Sequence, residues 1–257
     1  MTPASTLALG GAAIEIEIEK RRRGILPPAK IALIALSLPL TRVGAQLSAP
    51  VGATTGPAAF GGERVAWEAS GLLLATSLVL DERLRSFALA HQSRQLDRLA
   101  AGADILGTAG HIVPALVGTY VTSRLIGQDR FAASTLRVGV AYAAADAVES
   151  LLKPTVGRVR PNEGREPLTF RPFSMGGSFQ SFPSAHVVHI TSLASAVAME
   201  AHRPWVTALA GVATTYVGLQ RVYRDQHWSS DVVASGMLGV EIARTTMNWL
   251  HARQATR

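Results

Sequence analysis

Three short stretches of this chain carry the residue types that chemistry on a phosphate would need. The first, LLKPTVGRVRP, holds Lys153 and Arg160; the second, SFPSAHVVH, holds Ser184, Ala185 and His186; the third, QRVYRDQHWSSDVV, holds Arg221, His227 and Asp231. A phosphoryl group in transit spreads negative charge over three equatorial oxygens, so it needs fixed cations and backbone amides around it. Lys153, Arg160 and Arg221 are such cations, and each arginine can grip two oxygens through its planar fork. Ser184 falls where a helix should begin, so its hydroxyl and the free amides of Ala185 and His186 can face an anion. The spacing of His227 and Asp231 predicts that the carboxylate accepts a hydrogen bond from one ring nitrogen and leaves the other to attack phosphorus. His186 is then the group that protonates a leaving alkoxide and later activates water.

In this order, Lys153-x6-Arg160-Pro161, then Pro183-Ser184-Ala185-His186, then Arg221-x5-His227-x3-Asp231 resembles the pattern shared by type 2 phosphatidic acid phosphatases, bacterial non-specific acid phosphatases and vanadium-dependent haloperoxidases. Two positions depart from it: Ala185 stands for a glycine and Gln220 for a serine. The resemblance implies a compact all-α helical bundle, His227 as nucleophile, Asp231 as its orienting partner and His186 as acid/base. It assigns Lys153, Arg160, Ser184, Ala185 and Arg221 to the phosphate. The activity it implies is hydrolysis of phosphomonoesters or terminal pyrophosphates. Lipid and soluble esters both remain open as substrates, with the apolar helices slightly favouring lipid. Vanadate-dependent halide oxidation is the alternative within the superfamily, although those chains tend to be larger. A non-catalytic anion-binding envelope protein is the alternative outside it, and that would need the cations but neither histidine. His186, His189, His227 and Asp231 are of types that bind zinc, but the matched cations suit an oxyanion and repel a divalent ion. No metal or cofactor is therefore expected.

Other polar residues near these motifs have plainer readings. His189 is expected to be structural or to support the site, and Arg158 is either a supporting phosphate contact or a solvated residue. Asp146 and Glu149 share a helical face with Lys153 and can hold it through an i,i+4 pair. Arg224 and Asp225 read as capping or salt-bridging residues.

Helices must position these side chains. Apolar periodicity and turn residues predict helices at 66–80, 82–90, 94–106, 110–126, 130–152, 185–200, 204–220 and 228–250. Pro154 is expected to end the fifth of them. Residues 154–183 form a connection too long for a compact domain unless it is functional, and it is expected to bring the Lys153 helix end against Ser184. Membrane spans need about 20 predominantly apolar residues. Two windows approach this, 19 uncharged residues between Asp104 and Arg124 and 17 between Arg203 and Arg221, and charge cuts the others short. A compact, tightly packed helical bundle is favoured over a fully polytopic membrane protein, with membrane association left open.

The N-terminal part reads as targeting. EKRRRGILPPAK precedes the apolar IALIALSLPL, and Val43 and Ala45 occupy small-residue cleavage positions, so residues 1–45 are expected to be a signal peptide, 46–66 a flexible linker and 67–257 the functional domain. Cleavage after Ala45 would lower the formal charge from +7 to +4, which removes most of the support for a nucleic-acid partner. The chain has no cysteine, so export to the cell envelope rests on the leader alone.

Overall fold

The computed structural model describes residues 57–256. The expected signal peptide lies outside them. Among the described residues seven α-helices follow one another: α1 (Pro57–Ala90), α2 (Arg94–Gly107), α3 (Ala109–Leu125), α4 (Asp129–Val156), α5 (Ala185–Ala201), α6 (Pro204–Tyr223) and α7 (Ser229–Ala255). No strand occurs among the described residues; one isolated bridge pairs Arg158 with Phe170. The all-α expectation therefore holds, with three local differences.

The first two expected helices are one, because Asp81 does not interrupt the chain but is buried within α1. That helix is described from Pro57 onward, so residues 57–66 of the stretch expected to be a linker are helical. Pro154 lies inside the last turn of α4, and the helix ends only at Gly157, which takes the left-handed conformation with φ 61°. A side chain at Gly157 would place Cβ 1.9 Å from the carbonyl oxygen of Arg171, so both the dihedral and the close approach require glycine here.

Helix α5 lies at the centre and packs against α2, α4, α6 and α7. One side of the core joins Val138 and Ala141 of α4, Ala196 and Met199 of α5, and Ala243 and Met247 of α7. The other joins Ala103, Val187, Ile190, Val217 and Val232 from α2, α5, α6 and α7. Fully burying a side chain of valine or methionine size contributes about 1.5–3 kcal/mol, and the many alanines let the helices approach closely. Two charges that interrupt apolar runs in the sequence neutralise each other here: Arg137 of α4 makes paired hydrogen bonds to Glu200 of α5 (Nε–Oε1 2.7 Å, Nη2–Oε2 2.5 Å), and His251 of α7 joins them at 2.9 Å.

The long connection is folded on itself. Val159 N–H donates to Thr169 O (3.0 Å), Arg171 N–H to Gly157 O (2.7 Å), Arg160 N–H to Ser178 O (2.9 Å) and Ser181 N–H to Arg158 O (3.0 Å). Arg158 anchors the loop to the bundle. Its guanidinium is buried and donates to Pro167 O (2.8 Å), Asp81 Oδ2 (2.8 Å), Ser230 Oγ (2.7 Å) and Asp231 Oδ1 (2.6 Å). Asp81 in turn accepts from Ser229 Oγ (2.6 Å) and from the Ser230 backbone amide (2.9 Å), an otherwise unpaired donor at the start of α7. Neither expectation for Arg158 describes this: it is neither solvated nor free to hold phosphate, because four hydrogen bonds, three of them to buried side chains, occupy it. Truncating one partner of a buried ionic network leaves the others uncompensated, so Arg158→Ala should lower stability by about 3–5 kcal/mol. Urea unfolding would measure this; a loss under about 1 kcal/mol would mean that water replaces the guanidinium.

Candidate functional site

The three motif segments come from the end of α4 and its loop, the start of α5, and the turn between α6 and α7, and they meet at one end of the bundle. Lys153, in the last turn of α4, is held by an i,i+4 ion pair with buried Glu149. Arg160 follows the turn at Gly157; its Nε donates to Gly177 O (3.0 Å) and its Nη1 to Gln226 O (3.0 Å), tying the loop to the turn that carries His227. Ser184 is the residue before α5 and makes no side-chain capping bond; its hydroxyl is buried and unpartnered among the described residues, while its backbone N–H donates to Ser235 Oγ of α7 (2.8 Å). Ala185 and His186 are the first two residues of α5, with free helix-start amides. Arg221 is in the last turn of α6, its Nε donating to Gln220 Oε1 (2.5 Å) and its Nη2 to Asp104. Gln220, which departs from the family pattern, therefore steers this arginine and keeps a buried, unpartnered Nε2.

His227 and Asp231 are arranged differently from the expectation. His227 precedes α7 and lies in the turn, so helical i,i+4 geometry does not apply to the pair. Its Nδ1 meets the backbone carbonyl of Ser181 at 2.5 Å. Asp231, the third residue of α7, folds back over the helix start, accepting from Trp228 N–H (3.0 Å), Ser181 Oγ (2.5 Å) and Arg158. The carboxylate thus reaches the imidazole through Ser181, which bonds Asp231 with its hydroxyl and His227 with its carbonyl.

The electrostatics suit an arriving anion. Burial pushes the His227 imidazole well below its ordinary value, and Arg160 and Lys153 push it further, so the ring is neutral. Burial and then Arg221 bring His186 down to about 4, with Asp104 opposing them. Burial also works against the charges of Arg160 and Arg221. Asp231 is pushed upward by burial, which Arg158 and its hydrogen bonds counter.

His189 stands apart from the site: buried one turn into α5, it bonds Asp146 through Nε2 (2.8 Å) and Gly107 O through Nδ1 (3.3 Å). Asp146, Glu149 and His189 bring ligand-type atoms near one another, but His189 is engaged with Asp146 and Glu149 with Lys153. Asp225 pairs with Arg85 of α1 (Nε–Oδ1 2.7 Å), and Arg224 reaches Asp97 O (3.3 Å), so both serve the salt-bridging and capping roles expected of them. Sequence reading missed Asp81, Ser181 and Asp104. The available signal for the two acids was that each borders a long uncharged run.

Residues 134–255 match the family model described as the PAP2 superfamily. The lipid A 1-phosphatase of Rhizobium etli is 34% identical over 92 residues, covering 35% of this chain and 39% of that protein, so the match spans about two fifths of the relative's length. Phosphatidylglycerophosphatase B of Bacillus subtilis is 25% identical over 173 residues, 62% of this chain and 78% of that protein. The crystal structure of a transmembrane PAP2-type phosphatidylglycerolphosphate phosphatase from Bacillus subtilis superposes with a TM-score of 0.56 at 22% identity, covering 71% of this chain and 94% of that one. The three motif segments are thus gathered at one end of a helical bundle with the fold of that solved structure, and residues 134–255, which carry them, are similar to the PAP2 superfamily.

Proposed function

We propose that the protein is an exported, membrane-associated phosphatase that hydrolyses a lipid phosphomonoester or terminal pyrophosphate through a phosphohistidine, without a metal. The observation that carries this reading is the environment of His227: its Nδ1 faces a carbonyl that can only accept a hydrogen bond, so the proton sits there and the Nε2 lone pair is free, next to Lys153, Arg160 and Arg221. Nε2 attacks phosphorus as the ester P–O bond breaks, and the leaving oxygen takes a proton from His186. Neutral His186 then accepts a proton from water, whose oxygen attacks phosphorus and breaks the N–P bond. The cations, the Ser184 hydroxyl and the amides of Ala185 and His186 stabilise charge on the equatorial oxygens in both steps. Burial is the main cause that holds His186 low; a bound phosphate offsets the added push from Arg221 and Lys153, so substrate arrival favours the protonated acid.

A lipid substrate is supported by the lipid phosphatases among the relatives and by an apolar cavity of about 640 Å³ between α2, α3, α4 and α5, lined by Ile105, Leu106, Ile112, Leu116, Phe131 and Ile190. Leu106, one of its lining residues, precedes Gly107, where a Cβ would fall 2.8 Å from Cδ2 of the His186 ring. Among the described residues no single helix is long and apolar enough to cross a membrane; α2 and α3, bent by 51°, pass that test only as a pair. Export is supported by the leader-like N-terminal segment.

Phosphate release in EDTA from p-nitrophenyl phosphate, a phosphatidate and a polyprenyl pyrophosphate tests the reading. Release should survive EDTA, favour the lipids, disappear in His227→Ala and fall about 100-fold or more in His186→Ala. No release from any substrate by the folded protein would overturn it. The two depressed imidazoles also predict a pH dependence of stability. The unfolded chain binds their protons below about pH 6.5, whereas folded His186 refuses its proton until about pH 4, so stability should fall as pH drops through this window. Melting temperatures at roughly pH 5 and 7 should differ more for the wild type than for His186→Asn, and equal differences would contradict the assignment.

A further inference from the structure

The end of α2 lies outside all three motif segments, yet it forms a wall of the site. Asp104 Oδ1 accepts from Arg221 Nη2 and stands 3.4 Å from His186 Nε2. Thr108 Oγ1 gives its proton to Asp104 O (2.7 Å), so it can only accept from His186 Nε2, 3.3 Å away, which favours a proton on that nitrogen. Gly107 admits the His186 ring: a Cβ there would fall 2.7 Å from His186 Cβ. We propose that Asp104 is a positioning residue that holds Arg221 and His186 together in the free site and gives up Arg221 to the substrate's phosphate.

The reasoning rests on charge and on exposure. Lys153, Arg160 and Arg221 all act on the buried His227, so the empty site gathers positive charge with little water to screen it. Lys153 has Glu149 as counter-charge, whereas Arg160 donates only to carbonyl and amide oxygens. Asp104 is the counter-charge of Arg221. The side chain of Arg221 is 9% exposed and that of Asp104 49%, so the carboxylate can return to solvent at little cost when phosphate replaces it. Asp104 is not needed to join α2 to α6: Tyr216 Oη bonds Leu99 O, and Tyr223 Oη bonds Asp97 Oδ1 at 2.9 Å. A carboxylate that competes with phosphate for one arginine weakens product binding, while its hold on His186 keeps the acid/base aligned.

This inference rests on the phosphatase reading, and the experiment separates the two. Wild type, Asp104→Asn and Asp104→Glu are compared for kcat, KM and inhibition by inorganic phosphate, with melting temperatures confirming folding. Asp104→Asn should lower kcat about tenfold by releasing His186 and tighten phosphate inhibition about fivefold by removing the competing charge. Asp104→Glu should restore weaker phosphate inhibition. A purely structural role would not weaken turnover while tightening phosphate binding. If kcat stays within about twofold of wild type, or phosphate inhibition is unchanged or weaker, the inference is overturned while the phosphatase reading stands. An inactive wild type would remove both.

Discussion

A buried guanidinium cannot be left unpaired, and most of the site's geometry follows from how Arg158 is paired. Its partners come from three distant stretches: Asp81 in α1, Pro167 in the long loop, and Ser230 and Asp231 at the start of α7. Satisfying all of them fixes the loop against both helices. Asp231, held by Arg158, fixes Ser181, and Ser181 presents its carbonyl to His227. A cation that never touches the proposed substrate therefore determines which nitrogen of His227 carries the proton. Buried ion networks contribute little net stability over apolar packing, so the value of this one lies in register.

The same arrangement separates cations that are neutralised within the fold from cations that await an anion. Arg137 and Arg85 are matched by Glu200 and Asp225. Arg160 is bound only by neutral oxygens, and the buried Ser184 hydroxyl has no partner among the described residues. Unsatisfied polar groups in a buried setting are costly. A phosphate would satisfy them together, which is why a preorganised site binds charge that develops during reaction more strongly than water can.

The helices were largely legible because they depend on local signals, namely apolar periodicity punctuated by Ser93, Gly127 and Pro204. Where charge was taken as an interruption, the reading failed for a physical reason. Asp81 continues α1 because Arg158 and the start of α7 pair with it, and that partnership is invisible in a linear chain. The motif residues were legible from their types and order, but their connections were not. The spacing of His227 and Asp231 suggested a direct hydrogen bond, whereas the turn before α7 places Ser181 between them. Arg158 was ambiguous beside Lys153 and Arg160, since its bonds to Asp81, Ser230 and Asp231 mark it as structural and that pairing is invisible in a linear chain.

The most direct test of the account is to look for the covalent intermediate. The purified protein would be mixed with radiolabelled substrate, quenched in alkali within its first turnovers, digested and mapped. The account predicts label on the peptide containing His227, stable in alkali, lost in acid, and absent from His227→Ala. Steady phosphate release with no label on that histidine, or with label elsewhere, would contradict it.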